Sequence, residues 1–471
     1  MDNTRVALRE GLRQVLNQSD QTTIWLNGPA GVGKTSIAFT VAEGMKAAKR
    51  LAATFFCSHR HTESISAIIP TIAYQLALAF PCIRDDIMRA IEIDGLLLSD
   101  ANFRVEQMRE LIIKPLRMLR LRRKTSYAII IDALDECFSA EEAAGLANLF
   151  TDNLSRSGLP VIHLLFTSRP EARICTAMQV PIYEILLTTE DENTVQDVRF
   201  FLRTSLDTIR RSRPVVFSQQ SGPWPSSHAF EALTSRAAGL FVYAATAINF
   251  ISAPGHHPQQ RLDLLLRSDS AVGENMDQIY RQIIEASENP YVHCRMLVFI
   301  IRLFRPLPLV QLQKLFVGDE QNLAMMLEAF SPMFLNPRDG SGNIEIYHDS
   351  LRGFMISLQR SKEYYVDDTL VHEELACRCL DLLMREENVT EGAFLYALHH
   401  WDFHLSMTGR RLNSKLRNLL ALLTKGTMQR LVALEQRDLA VRFCCSLHRA
   451  NARSSVSVLI VRKAVNNPQN G

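Results

Sequence analysis

The chain has 471 residues, 47% of them hydrophobic and 22% charged, with a formal net charge of +2. That length exceeds one compact domain, so two to four domains are expected, each with apolar material for its own core. The near-neutral charge argues against a protein whose main task is coating nucleic acid. The nine cysteines lack the pair-of-pairs spacing of a zinc knuckle: Cys377-x-Cys379 and the adjacent Cys444-Cys445 have the wrong geometry. An odd count without a secretory signal suggests reduced thiols inside a cell.

The first twenty residues, MDNTRVALREGLRQVLNQSD, alternate charged and apolar groups like an amphipathic helix and lack the apolar core of a signal peptide. Thr22–Asn27 (TTIWLN) is a β-branched and aromatic run that suits a buried parallel strand. It leads into GPAGVGKTS, which matches G-x-x-x-x-G-K-[ST], and Ser36–Glu43 then reads as a helix. Strand, glycine loop and helix in that order form a phosphate cradle. Gly28, Gly31 and Gly33 let the backbone approach phosphates closely, and Pro29, Ala30, Val32 and Ser36 complete the loop. The helix N-terminus adds positive potential. Lys34 would reach the β and γ phosphates, and Thr35 would give its hydroxyl to Mg²⁺.

Tyr127–Asp132 (YAIIID) is an apolar run ending in a carboxylate, placed where an open α/β sheet gathers its ligands. Asp132 is the expected second support for magnesium. Asp135 and Glu136 follow within four residues. One of them could position a water for attack on the γ-phosphate, or one could cap the helix that starts near Ser139. Val161–Phe166 is a third strand, followed by TSRP. Arg169 there reads as a sensor of the terminal phosphate or as a surface salt bridge. Three strand-then-polar units separated by helical stretches predict a parallel α/β sheet.

Together, GPAGVGKTS, IIIDALDEC and LLFTSRPE resemble a NACHT domain. The segments SHRHTESISAIIPTIAYQLA (58–77), AAGLFVYAATAINFI (237–251) and IEIYHDSLRGFM (344–355) are similar to fungal NACHT proteins of the STAND class, which resembles NLR immune receptors. The resemblance spans about residue 20 to about residue 390. It implies a cytoplasmic ATP/ADP switch, with GTP left open, that is compact with ADP and self-associates with ATP. Slow Mg²⁺-dependent hydrolysis would reset it, in self/non-self recognition or programmed cell death. No 33–45-residue repeat is visible, so the chain is expected to be the switch core alone. The sequence is then a short form, a truncated one, or a receptor whose effector or sensor partners are separate chains, and the resemblance does not choose between these.

Four parts are expected: an NTPase domain (1–190), a helical domain (191–285), a winged-helix domain (286–365) and a C-terminal helical region (366–471). In the second, Val195–Leu206 has helical spacing with Val195, Val198, Phe201 and Leu202 as its stripe, and the stretch RRSRPVVFSQQSGPWPSSH reads as a loop. The 15-residue run 237–251 reads as one buried helix, too short for a membrane span of roughly 20 residues. Plant-type relatives carry a Gly-x-Pro there that packs on adenine. Here the third residue is Phe241, either stacked on the base or part of the core. Adjacent His256 and His257 read as solvated loop residues.

In the third part, helices are expected over Val292–Phe304 and Leu309–Phe316, with Leu312, Leu315 and Phe316 inward. Pro332–Leu335 and Ile344–Tyr347 would pair around NPRDGSGN as a hairpin wing. In the resembled family, a histidine at the position of His348 reaches the ADP β-phosphate; otherwise His348 is a capping or core residue. Lys314 is the one charge of the would-be recognition helix, which is poor for DNA, so no nucleic-acid partner is expected. The helical stripes HEELACRCLDLLMREE and LRNLLALLTKGTMQRLVALEQ read as packing faces, and the basic run LRMLRLRRK (116–124) as a solvated helix end. Two rival functions are a small-molecule kinase and a nucleotide-binding scaffold without turnover. The first lacks an arginine-rich lid. The second is opposed by the intact Lys34, Thr35, Asp132 and Glu136.

Overall fold

The computed structural model describes residues 4–419 except 58–63, 99–103, 121–124, 138, 157, 171–173, 175–181, 219–221, 268–274, 336–341, 386–391, 409–413 and 417. Outside the described residues lie the start of the 58–77 segment, the end of the basic run, the tip of the expected wing, nearly all of LRNLLALLTKGTMQRLVALEQ, and Cys444-Cys445. The chain divides into two compact units, residues 1–248 and 249–471.

The first unit is built on five parallel strands: β1 (Thr23–Asn27), β2 (Leu51–Phe56), β3 (Tyr127–Asp132), β4 (Ile162–Ser168) and β5 (Ile182–Leu186), in the spatial order β2-β3-β4-β1-β5. β1, β3 and β4 are buried along their whole length because both faces of the sheet are covered. Alternate side chains divide between two cores. Ile24, Leu26, Ala128, Ile130 and Leu165 pack with Leu12, Leu16, Ile37 and Ala38 from the helices Val6–Leu16 and Lys34–Ala47. Trp25, Tyr127, Ile129, Ile131, Leu164 and Phe166 pack on the other face with Ile68, Ile72, Leu111, Leu116, Leu146 and Phe150. This three-layer α/β arrangement is the parallel sheet expected from the sequence.

Several elements differ in detail from their expected form. β4 runs two residues further, so Thr167 and Ser168 belong to the strand. The helix expected over Val195–Leu206 is Glu192–Ser212, and its buried face is Thr194, Val198, Leu202, Leu206 and Ile209. Val195 and Phe201 are only half-buried: the buried stripe is rotated toward Thr194, whose amide Asp191 accepts at 3.0 Å and whose hydroxyl oxygen accepts from Arg5 at 2.6 Å. The stretch expected as a loop contains a helical turn, Pro214–Phe217, with Phe217 packed on Trp224 at 4.6 Å. The apolar run 237–251 is not one helix. Ser227–Ala237 ends and Phe241–Ser252 begins around Ala238 and Gly239, both left-handed. A Cβ on Gly239 would stand 2.1 Å from the Thr189 carbonyl oxygen, so this crossing requires glycine.

The second unit is helical around Pro290–Arg302, whose residues from Met296 to Ile301 are all buried. Leu309–Leu315 follows, with Leu312, Leu315 and Phe316 buried as expected. β6 (Phe334–Leu335) and β7 (Glu345–Ile346) pair antiparallel, and Pro308 bridges Asn343 beside them. Asp368–Arg385 and Gly392–Ser406 then pack on each other. His256 and His257 are exposed.

Candidate functional site: the phosphate cradle at the sheet edge

The C-terminal ends of β1, β3 and β4 lie side by side, with Asn27 in register with Ser168 and Ile131 with Phe166. The loop after β1 turns through Gly28, Gly31 and Gly33, all at positive φ. A Cβ on Gly31 would meet Val242 Cγ1 at 2.3 Å, so the loop needs glycine there to lie under the Phe241–Ser252 helix, whose Val242 amide donates to the Gly31 carbonyl at 3.2 Å. Pro29 and Ala30 are exposed at the tip, and Val32 is buried. The helix Lys34–Ala47 starts at Gly33 with no side-chain cap. Its first amides therefore remain for an anion.

Lys34 folds back onto its own loop. Nζ donates to the carbonyls of Gly28 at 2.6 Å and Pro29 at 2.9 Å. Burial lowers its pKa, with Arg169 acting in the same direction, while Asp135, Asp132 and Glu136 oppose the shift. The ammonium thus sits amid the three carboxylates that the sequence singled out.

Asp132 is 2% exposed. Its Oδ1 accepts the Thr167 hydroxyl at 2.6 Å, and the Thr167 oxygen accepts the Ala133 amide at 2.8 Å. Thr35 also hydrogen-bonds Asp132. Burial raises the Asp132 pKa against the pull of Thr167, Thr35 and Lys34. Ala133, at φ 56, turns the chain sharply into the helical turn Leu134–Cys137, which carries Asp135 and Glu136. The next helix, Ala140–Leu154, is capped by neither acid. Ser139 and Glu142 form a reciprocal capping box there. Asp135 instead holds Arg169: its Oδ2 accepts from Nε at 2.6 Å and its Oδ1 from the Arg169 amide at 3.0 Å. The two side chains expected to act on the γ-phosphate are therefore paired with each other.

Three groups fit magnesium chemistry at this edge: the Thr35 hydroxyl, phosphate oxygens to be delivered by the loop, and Asp132, a hard oxygen donor whose buried charge has incomplete compensation. Beside the loop lies a partly open cleft lined by Arg5, Val32, Gly33, Ser36, Thr40 and Phe241 among others. Phe241 thus belongs both to the core and to this wall. Arg5 is 8% exposed and lies 5.5 Å from the Phe241 ring centroid. It donates to the Val32 carbonyl at 3.1 Å and to Thr194 Oγ1 at 2.6 Å. Thr167 and Arg5 were missed as individual site residues by sequence reasoning. Thr167 was legible only as a polar residue at a strand end. Arg5 carries no local signal, because its partners lie 27 and 189 residues away.

His348 belongs to the second unit, just after β7. Its Nδ1 accepts the Ser350 amide at 3.1 Å and lies 2.8 Å from Ser350 Oγ, so it caps the short helix Ser350–Met355.

Comparison with known proteins agrees with the motifs. Residues 7–169 match the family described as Nephrocystin 3, N-terminal. No curated protein matches the chain significantly. Among solved structures, a Signal Transduction ATPase with Numerous Domains (STAND) protein with a tetratricopeptide repeat sensor, from Pyrococcus horikoshii, is 13% identical, with a TM-score of 0.48 over 98% of this chain and 56% of that one. This chain therefore spans little more than half the length of that protein. The Aeropyrum pernix ORC2 protein is 13% identical, with a TM-score of 0.35 over 73% of this chain and 90% of that one. A Walker-type ATPase of Pyrococcus abyssi is 13% identical, with a TM-score of 0.34 over 73% of this chain and 93% of that one. The glycine cradle, the Asp132-tipped strand and the acidic turn, set on a five-stranded parallel sheet, have the form of a P-loop nucleotide site, and all of them lie within the residues that match that family model.

Proposed function

We propose that the protein is a nucleotide-dependent signalling switch, held in one arrangement by ADP and released into a self-associating one by ATP, with slow hydrolysis as the reset. The observation that carries this reading is the convergence of Lys34, Thr35, Asp132, Asp135, Glu136 and Arg169 on one sheet edge. The loop and helix amides bind the phosphates. Lys34 exchanges its two carbonyl partners for β and γ oxygens. Thr35 and Asp132 would hold Mg²⁺, which supplies charge neutralisation between those phosphates. Arg169 leaves Asp135 for the terminal phosphate, and the freed Asp135, or Glu136, orients the attacking water. The base enters the cleft walled by Phe241 and Arg5, with adenine preferred and guanine tested beside it.

The rest of the proposal extends to the second unit. Residues 286–365 act as a winged helix whose His348 contacts the ADP β-phosphate in the closed form, and the parts 1–190, 191–285 and 366–471 flank it as separate modules. The setting is self/non-self recognition or programmed cell death. A swing from 1:99 to 99:1 requires a nucleotide to favour one state by about 10⁴.

The test is to denature freshly purified protein and identify the released nucleotide by ion-exchange chromatography. Near-stoichiometric ADP supports a locked state. An empty site that rapidly turns over added ATP overturns the switch and points to a turnover enzyme. His348→Ala is expected to weaken ADP more than ATP in calorimetric titration. Equal loss for both would reduce His348 to the cap of its helix.

A further inference from the structure

A second polar network lies within the second unit, and the proposed switch does not use it. Tyr396 and His404 on the Gly392–Ser406 helix and His372 on the Asp368–Arg385 helix are at most 2% exposed. The Phe304 amide donates to Tyr396 Oη at 3.0 Å. Tyr396 Oη lies 2.8 Å from His404 Nε2, and His404 Nδ1 lies 2.9 Å from His372 Nδ1. His372 Nε2 is 3.7 Å from Asp368 Oδ1, which Arg302 Nε approaches to 2.6 Å. His400 stacks on Phe304 with ring centroids 4.2 Å apart.

One proton arrangement satisfies the three hydrogen bonds, with Asp368 a charged neighbour at 3.7 Å and not a hydrogen-bonded member of the chain. The Phe304 N–H donates to Tyr396, whose hydroxyl donates to His404 Nε2. His404 Nδ1–H donates to the bare Nδ1 of His372, leaving His372 Nε2–H toward Asp368. The central contact needs one Nδ1 without a proton. Two imidazolium rings would point N–H at N–H across 2.9 Å, with two like charges in a sealed interior.

We propose that the Tyr396–His404–His372 chain is a protonation-controlled latch, which clamps the Gly392–Ser406 helix to the Asp368–Arg385 helix and to the end of Pro290–Arg302 while its histidines are neutral, and releases it on acidification. The surroundings oppose protonation. From the Pro290–Arg302 side come Arg302 and Arg305, with Arg352 and Tyr365 beside Arg302. Asp368 and Cys379 face the chain from the Asp368–Arg385 helix, and His399, His400 and Asp402 from Gly392–Ser406. Lys314 is the single ionisable side chain of Leu309–Leu315, which packs on both helices. Burial lowers the His404 pKa well below the usual imidazole value, with His372 and His400 acting in the same direction. Burial also lowers that of His372, against the pull of Asp368. It lowers His400 to about 4.

Because the folded values lie below those of the exposed rings, the latch is at full strength above an unfolded pKa of about 6.5 and weakens as pH falls. At about pH 5.5, an imidazole that stays neutral in the closed form and protonates on opening raises the opening constant about tenfold.

The test is deuterium exchange of the full chain at about pH 7.5 and 5.5, corrected for intrinsic chemistry, with Lys34–Ala47 as internal reference. The expected result is a large acceleration confined to Gly392–Ser406, reduced by up to about tenfold in His372→Asn, whose amide replaces Nδ1 without titrating. No acceleration in the wild type, or equal acceleration in the reference helix, would overturn the latch. So would an undiminished rise in His372→Asn. If that variant fails to fold, the two wild-type outcomes still decide.

Discussion

Two clusters of polar side chains lie in this molecule, one at the end of the sheet and one between the C-terminal helices, and they are built on opposite terms. At the sheet edge, Lys34 rests on main-chain carbonyls and Arg169 on Asp135, while the first amides of Lys34–Ala47 have no side-chain cap. Each partner can be exchanged for a phosphate oxygen. In the second unit, Tyr396, His404 and His372 satisfy one another in a sealed interior. Provisional partners make a binding site, and mutual partners make a structural lock. The same inventory of donors and acceptors serves either purpose, depending on whether a ligand can replace a link.

The largest test of this contrast is Lys34→Ala. It is expected to reduce nucleotide affinity by at least about a hundredfold, the scale of losing more than one charge-assisted hydrogen bond, while circular dichroism stays unchanged. Unaltered ATP affinity by titration calorimetry would remove the cradle from the phosphate role.

Asp132→Asn separates binding from stability. The folded pKa of Asp132 is raised, so its contribution to stability is greatest when it is protonated and is lost as pH rises through that value. At neutral pH without ligand the carboxylate is therefore a burden. Asn is expected to leave the ligand-free melting temperature equal or higher, while turnover falls by on the order of a hundredfold or more. A lower ligand-free melting temperature with turnover intact would mean that Asp132 serves structure alone.

In the sealed cluster, Tyr396→Phe strands the Phe304 amide and His404 Nε2. It should cost about 1–3 kcal/mol by denaturant titration while nucleotide affinity stays unchanged. A neutral result would show that these groups find other partners.

The smallest expected effect is that of Arg169→Gln on stability. Arg169 is 45% exposed on its side chain, so its pair with Asp135 is expected to contribute under about 1 kcal/mol. Turnover should nonetheless fall, and unchanged turnover would leave Arg169 a surface partner of Asp135.

The cradle was legible because its chemistry is local. Gly28 to Ser36 are contiguous, and the β1 strand and Lys34–Ala47 helix on either side of them form within one short stretch. The acidic turn was legible for the same reason: Asp132, Asp135 and Glu136 lie within five residues of one another. Arg169 was also found, but its pairing with Asp135 was not, since that depends on β3 and β4 being neighbours. The helical stripe at Val195 and Phe201 was misread because an apolar pattern tolerates rotation by one residue, and the buried face includes Thr194, held by the distant Arg5. The run 237–251 looked continuous because hydrophobicity reports burial and not direction. Its break at Gly239 is imposed by the close approach of Thr189.

The sequence by itself determined the glycine loop, the alternation of strand and helix, and the carboxylates at the sheet edge. Each of these follows from steric and electrostatic preferences that operate over a few residues. Tertiary structure alone decided that Thr167 would hold Asp132, that Arg5 would buttress Val32, and that His372 and His404 would share a hydrogen bond. Those partners lie 35, 27 and 32 residues apart. Their meeting is a consequence of strand order and helix packing, for which no short stretch of sequence carries a sign.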